Sequence, residues 1–241
     1  MTEQEIIESI DEVFRVCARL NRKAFWNVIV PTDAVLGQGL PSEQKAVTYI
    51  PSFELFELEA FIALIDSLIG SPSLPEKDKI RLMLVGYCRI MESDLPFAVV
   101  WNLLRAASGN PESWTFTRVS KAGDTLTCEY PREKIEAICR LSHNLSMKIG
   151  GVLAEIWDPY LRNSISHAHY FLTDDRYLPS GGLSPISRKH GGGLAVKGRS
   201  MTFNELRALY GLARTFVTRV VRGWRQACDN LNRSGTEAKT S

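Results

Sequence analysis

Asp158-Pro159-Tyr160-Leu161-Arg162-Asn163-Ser164-Ile165-Ser166-His167-Ala168-His169-Tyr170 is the stretch from which the rest of the chain is read. Asp is a good N-cap and Pro is favoured at the first helical position, so Asp158-Pro159 predicts a helix start. Leu161, Ile165 and Ala168 then recur at helical spacing as an apolar stripe. Asn163 and His167 are four apart and share a face. Arg162 and His167 are five apart, about 140° around the helix at roughly 100° per residue. Their side chains are near neighbours at the edges of one polar surface.

Working outward, the same period dominates. Upstream, Ile135, Ile138, Leu141, Leu145, Ile149, Val152, Leu153 and Ile156 form one long stripe from Pro131 to Trp157, with Gly150-Gly151 as a bend and Asp158-Pro159 as the restart. Downstream, residues 171–200 are rich in Gly, Pro and Asp and predict a long loop. Part of it is expected as a small hairpin between Tyr170-Phe171-Leu172 and Leu194-Ala195-Val196. Thr202-x-x-Glu205 is a capping box, and Leu206, Leu209, Leu212, Phe216, Val220 and Trp224 carry the following helix towards Leu231. The tail from Ser234 is polar and expected to fray.

Nearer the start, residues 3–20 predict an amphipathic helix. Residues 21–51 predict irregular chain with one or two helical turns. Further helices are expected over Phe53–Ile69, from Pro75 to about Met91, and from Asp94 and Pro96 through Ala107. Trp114–Val119 and Thr125–Tyr130 alternate about Lys121-Ala122-Gly123-Asp124, which predicts a β-hairpin. Two short strands supply no core, so they must pack on helices. The expected architecture is one mainly α domain over 1–241. An N-terminal helix and irregular extension fill 1–50, and a helical core fills 51–232. That core carries the hairpin insertion 113–130 and the loop 171–200; a flexible tail follows at 233–241.

At 44% hydrophobic and 23% charged residues, the composition is that of an ordinary globular chain. No apolar run is long enough to span a bilayer, and the acidic start Thr2-Glu3-Gln4-Glu5 is unlike a signal peptide. Five scattered cysteines, an odd number without a close pair, predict reduced and mostly buried thiols in a cytoplasmic protein. A formal charge of +2 gives no general attraction for nucleic acid, so such binding needs a local basic surface.

Two accounts of the 160–170 surface stand side by side. In the structural one, Arg162 pairs with Glu155 or Asp158, and His167 and His169 hydrogen-bond the backbone near the helix end, where the dipole favours their charged forms. In the chemical one, Arg162 offers a fork of donors to a phosphate and His167 moves a proton near neutral pH, with Asn163 orienting the imidazole or the phosphate. That set fits RNA cleavage without a metal ion. His167 would help the 2′-hydroxyl attack or protonate the leaving 5′-oxygen, and Arg162 would stabilise the crowded anionic transition state. A two-fold axis would double the set and form a cleft.

Arg162-Asn163-x-x-x-His167, late in a helical domain, resembles the arginine-polar-x-x-x-histidine signature of the HEPN superfamily. The wording Leu161–Ala168 is similar to the form common in its ribonucleases and its toxin or phage-defence members. Tyr170 after the histidine and the capped helix from Thr202 resemble the plasmid- and phage-associated branch. The resemblance implies an HEPN-like helical bundle, a homodimer with both motifs facing a shared cleft, and metal-independent endoribonuclease activity. Arg162 and His167 would be the catalytic pair, with Asn163 as polar partner. An antitoxin or regulatory protein is a further expected partner, and no cofactor or membrane is.

Arg188, Lys189, Lys197 and Arg199, together with His169 and Tyr170, are the expected RNA contacts. The basic residues read either as a flap over the backbone or as a solvated loop. The glycines at 191–193 lack the Gly-Lys-Ser/Thr ending of a P-loop. Arg214, Arg219, Arg222 and Arg225 line either an RNA-facing surface or a wet helix face. Trp157 and Trp224 are assigned to the core or a dimer contact, and no metal is assigned to Asp174-Asp175. Two alternatives remain: a non-catalytic helical interaction module, and a transferase that moves a nucleotidyl or phosphoryl group onto a partner protein.

Overall fold

The computed structural model describes residues 1–29, 51–120, 122–179 and 199–237, with backbone alone at 51–53 and 231–237. The first helix, α1 (Glu3–Leu20), begins at a reciprocal cap: Thr2 N donates to Glu5 Oε2 at 2.6 Å and Glu5 N to Thr2 Oγ1 at 3.2 Å. Its stripe Ile6, Ile10, Val13 and Cys17 is fully buried. The turns expected after residue 21 are α2 (Arg22–Ile29); the remainder of that stretch, 30–50, lies outside the described residues. Next come α3 (Pro51–Ile69), α4 (Glu76–Glu92) and α5 (Leu95–Ala107). Helix α5 sits at the centre: every residue from Leu95 to Leu104 is buried, and so is Ala106. An apolar helix with no wet face has to be wrapped by others, and α1, α2, α3, α6 and α9 do so.

The insertion after α5 is a hairpin of β1 (Thr117–Val119) and β2 (Thr125–Thr127). Only its root joins the core. Phe116 and Cys128 are buried, and the Phe116 ring lies 5.6 Å from that of Trp101. Asn102, wholly buried, accepts from Ser113 N at 2.7 Å and ties this segment to α5.

Where one bent helix is expected from 131 to 157, there are two: α6 (Pro131–Asn144) and α7 (Ile149–Ile156). The break falls before the glycines, at Ser146, whose φ of 55° is left-handed. Ser146 N donates to His143 O at 3.0 Å and Met147 N to Ser142 O at 2.9 Å, satisfying the final carbonyls. Gly150 serves close approach instead. A Cβ there would lie 2.9 Å from Cys139 Cα and 2.7 Å from Ser142 Oγ.

Helix α8 (Pro159–Ser166) follows, then β3 (Tyr170–Leu172), β4 (Arg176–Pro179), β5 (Met201–Thr202) and α9 (Phe203–Glu237). The three strands form one antiparallel sheet in the order β3-β4-β5. Tyr170-Phe171-Leu172 is a strand as expected, but its neighbour is Arg176–Pro179. Thr173 closes that turn: its backbone N donates to Arg176 O at 2.9 Å and its hydroxyl accepts from Arg176 N at 3.0 Å. Residues 194–196 lie outside the described residues. The Thr202–Glu205 capping box opens α9, with Thr202 N donating to Glu205 Oε2 at 2.8 Å. The helix then runs on through the expected tail to Glu237, about 50 Å at 1.5 Å per residue.

Helix α9 is the spine against which α1, α3 and α4 pack. Added Cβ atoms at Gly86 and Gly223 would meet Tyr210 at 2.7 Å and Phe14 at 2.8 Å, so these glycines set how closely α4 and α1 approach it. Trp224 is buried in the core and Trp157 packs against it. All five cysteines are free, and Cys17, Cys88 and Cys128 are buried. Among the described residues no helix is long and apolar enough to cross a membrane.

Candidate functional site

Helix α8 is short, so its position is set by its two ends and its inner face. Asp158 caps the start, accepting from Tyr160 N at 2.9 Å and Leu161 N at 2.8 Å. Tyr87 of α4 fixes the corner from α7: its buried hydroxyl donates to Ile156 O at 2.9 Å and accepts from Asp158 N at 2.8 Å. The inner face is Leu161 and Ser164, with Ile165 half-buried beside them. Ser164 Oγ donates to Leu161 O at 2.9 Å and is hydrogen-bonded to the Tyr177 hydroxyl. Burial pushes the Tyr177 phenol up to about 12, so it stays protonated and available as a donor.

The far end departs from the expected stripe. Helix α8 stops at Ser166, His167 is its C-cap, and Ala168 is exposed with φ of 53°. Ala168 N donates to Ile165 O at 3.0 Å and His169 N to Ser164 O at 2.7 Å. These are the two bonds of a Schellman ending. The chain reverses at Ala168, which takes it out of the apolar face and leaves the imidazoles of His167 and His169 exposed. Their ring centroids are 5.7 Å apart and the planes are tilted by 32°.

Arg162 pairs with neither Glu155 nor Asp158. Its Nη2 lies 2.9 Å from Glu92 Oε1 at the end of α4, and its Nη1 donates to Asn163 Oδ1 at 3.0 Å. Glu92 Oε1 also accepts from Ser166 Oγ at 2.8 Å, and Ser166 Oγ lies 3.2 Å from Cys88 Sγ. Burial pushes the Cys88 thiol up, which keeps it protonated. Arg162 Nε is buried without a partner among the described residues. Asn163 is therefore turned to Arg162, and no hydrogen bond or ion pair joins Arg162 to His167 among the described residues.

Of the expected RNA contacts, His169 is exposed beside His167, and Tyr170 is half-buried, stacked on Tyr177 at 5.5 Å. Arg199 is exposed and ion-paired with Glu205. Arg188, Lys189 and Lys197 lie outside the described residues. On α9, Arg214 pairs with Asp66, Arg219 with Asp11 and Arg225 with Glu59. Three of the four arginines in question thus already have carboxylate partners. Asp174 accepts from Lys77 at 2.8 Å.

One short helix and its capped end thus carry a guanidinium, held by one carboxylate, and two solvent-facing imidazoles. This set can transfer protons at its surface, and it can offer Arg162 to an anion that displaces Glu92. Sequence reasoning missed Glu92, Tyr87 and Tyr177. Tyr87 and Glu92 come from α4, distant in the chain (Glu92 is 74 residues before Ser166), and Tyr177, 13 residues after Ser164, reaches α8 only because the chain turns back through β3 and β4. No family model, curated protein or solved structure matches this chain.

Proposed function

We propose that the chain is an HEPN-type helical endoribonuclease that cuts RNA without a metal ion, at a cleft between two copies. The observation that carries this reading is the exposed pair His167 and His169, 5.7 Å apart, at the capped end of the helix that bears Arg162 and Asn163. An imidazole takes the 2′-hydroxyl proton as that oxygen bonds to phosphorus. The P–O5′ bond breaks, and the 5′-oxygen takes a proton from an imidazolium of the second set. The products are a 2′,3′-cyclic phosphate and a 5′-hydroxyl. Arg162 exchanges Glu92 for a phosphate oxygen and stabilises the added charge.

The second copy is supported by α3 and α4. Leu64, Leu68 and Val85 are exposed, and Leu68, Leu82 and Val85 border a groove of about 530 Å³. Val85 lies on the outer stripe of α4 that also carries Asp78, Arg81, Arg89 and Glu92. Glu92 is about 10 Å along the axis from Val85, so this face is continuous with the Arg162 corner. Asp78 and Arg81 pair at its rim, so the patch carries both signs of charge and sets no like-charge repulsion against a second copy of itself.

The Arg162–Glu92 pair favours a second reading, a non-catalytic interaction module, because it already ties the guanidinium to a carboxylate of the same chain. Digestion of total RNA in EDTA by the protein and by His167→Ala, matched in oligomeric state, separates the two. Cutting that survives EDTA, leaves cyclic phosphate ends and is lost in the variant supports the nuclease. Equal cutting by both forms refutes His167 as its catalyst, and no cutting by either supports the module.

A further inference from the structure

Away from α8, a groove of about 480 Å³ opens between α1, α2 and α9. Its floor is aromatic. Phe14 and Phe25 meet edge-to-face at 6.5 Å, and Phe25 and Trp26 at 4.9 Å. Phe25 is buried, whereas Phe14 and Trp26 are half-buried and reach the groove wall. Gly223 of α9 comes so close to Phe14 that a Cβ would sit 2.8 Å from the ring, so bare helix backbone lies flush on it.

The walls are basic. Arg15, Arg22 and Arg219 line the groove against one carboxylate, Asp11. Asp11 is taken up by Arg219, which leaves Arg15 and Arg22 exposed and with no ion-pair partner among the described residues. In a chain of net charge +2 this is a local concentration of positive charge beside aromatic rings, with Gln226 as a neutral hydrogen-bonding group. Charged rails beside a stackable ring are what an unpaired nucleic-acid strand needs: guanidinium for phosphate, indole for base. An acidic peptide would use the arginines and leave the rings idle.

We propose that this groove binds single-stranded RNA, with phosphates on Arg15 and Arg22 and a base stacked on Trp26. The proposal takes its substrate class from the nuclease reading and makes the groove an anchor for strand outside the cutting corner.

The test is fluorescence anisotropy with a labelled oligouridine 12-mer in EDTA, all forms carrying His167→Ala so that the strand stays intact. Losing two phosphate contacts lowers the slope of log K against log salt by about 1.4, which is roughly 25-fold in affinity at 0.1 M salt. Arg15→Gln with Arg22→Gln should show that drop. Arg132→Gln with Arg140→Gln, the same charge loss on exposed positions of α6, should not. Trp26→Leu should weaken binding at least five-fold. Equal curves for the two arginine pairs overturn the proposal, as does oligoglutamate of equal charge binding as tightly as oligouridine. Absence of oligouridine binding at 0.05 M salt overturns it too. These outcomes are separable from cleavage. A protein that cuts but binds equally without Arg15 and Arg22 loses the groove and keeps the nuclease. One that binds through the groove and never cuts keeps the groove and loses the nuclease.

Discussion

Replacing Gly150 with alanine drives a methyl group into the α6–α7 contact on which the path to α8 depends. The added Cβ would stand 2.9 Å from Cys139 Cα and 3.2 Å from Cys139 O, both backbone atoms that cannot turn away, and 2.7 Å from Ser142 Oγ. Ser142 Oγ accepts from Gly150 N at 2.9 Å and donates to Met147 O at 2.8 Å, so separating the helices also breaks a buried polar link. Overpacking costs about 1–3 kcal/mol, and a lost buried hydrogen bond adds about 1 kcal/mol. Better helix propensity returns about 1 kcal/mol. The net loss is about 2 kcal/mol, or roughly 4–8 °C in Tm for a chain of this size. The next residue is the control. Gly151 is exposed, and a Cβ there meets nothing within 4 Å. Gly151→Ala should stabilise by about 0.5–1 kcal/mol. Urea unfolding followed by circular dichroism at 222 nm reads both. If the two variants shift the midpoint in the same direction, the close approach of α6 and α7 at Gly150 is wrong.

Four further outcomes follow from single contacts. Tyr87→Phe leaves Asp158 N and Ile156 O without their shared hydroxyl and should cost about 2 kcal/mol in urea unfolding. Ala168→Gly removes a side chain from left-handed backbone and should raise Tm by 1–2 °C, from about 0.5 kcal/mol of relief. On the two-copy reading proposed above, Val85→Asp should move the light-scattering mass from twice 27.0 kDa to 27.0 kDa, and since the residue is exposed Tm should fall only by what the second copy contributes. The backbone N–H and then the hydroxyl of Thr202 hold the Glu205 carboxyl below its ordinary 4.5, so its stabilisation is full above that pH and lost as pH falls through the lowered value. Glu205→Gln should therefore flatten the decline in Tm between about pH 5 and 3.

Where a residue's neighbours in sequence decide its fate, the fold was legible. The helices α1, α3, α4 and α5, the Asp158-Pro159 start and the Thr202–Glu205 cap all stand where apolar spacing, Pro and Gly punctuation and cap chemistry put them. The break at Ser146 was hidden because left-handed positions ordinarily call for glycine, and the glycines here stand four residues later. Ala168 hid the end of α8 for the same reason. Strand β4 was masked by Pro179 and by the Asp174-Asp175 turn before it. At the candidate site, sequence located Arg162, Asn163 and His167 on one element. It could not supply Glu92, because that contact depends on how α4 and α8 cross. The groove at Arg15 and Arg22 was illegible for a related reason: its third wall is α9.

That wall reaches across nearly the whole chain, since Arg219 closes on Asp11 from 208 residues away. On a ribosome adding about 5–20 residues per second, α1 is made roughly 10–40 s before the helix that covers it. During that interval Ile6, Ile10 and Val13 have no α9 to lie against. The first helix waits for the last, and a chaperone that recognises nascent apolar helices would find α1 at that moment and not afterwards.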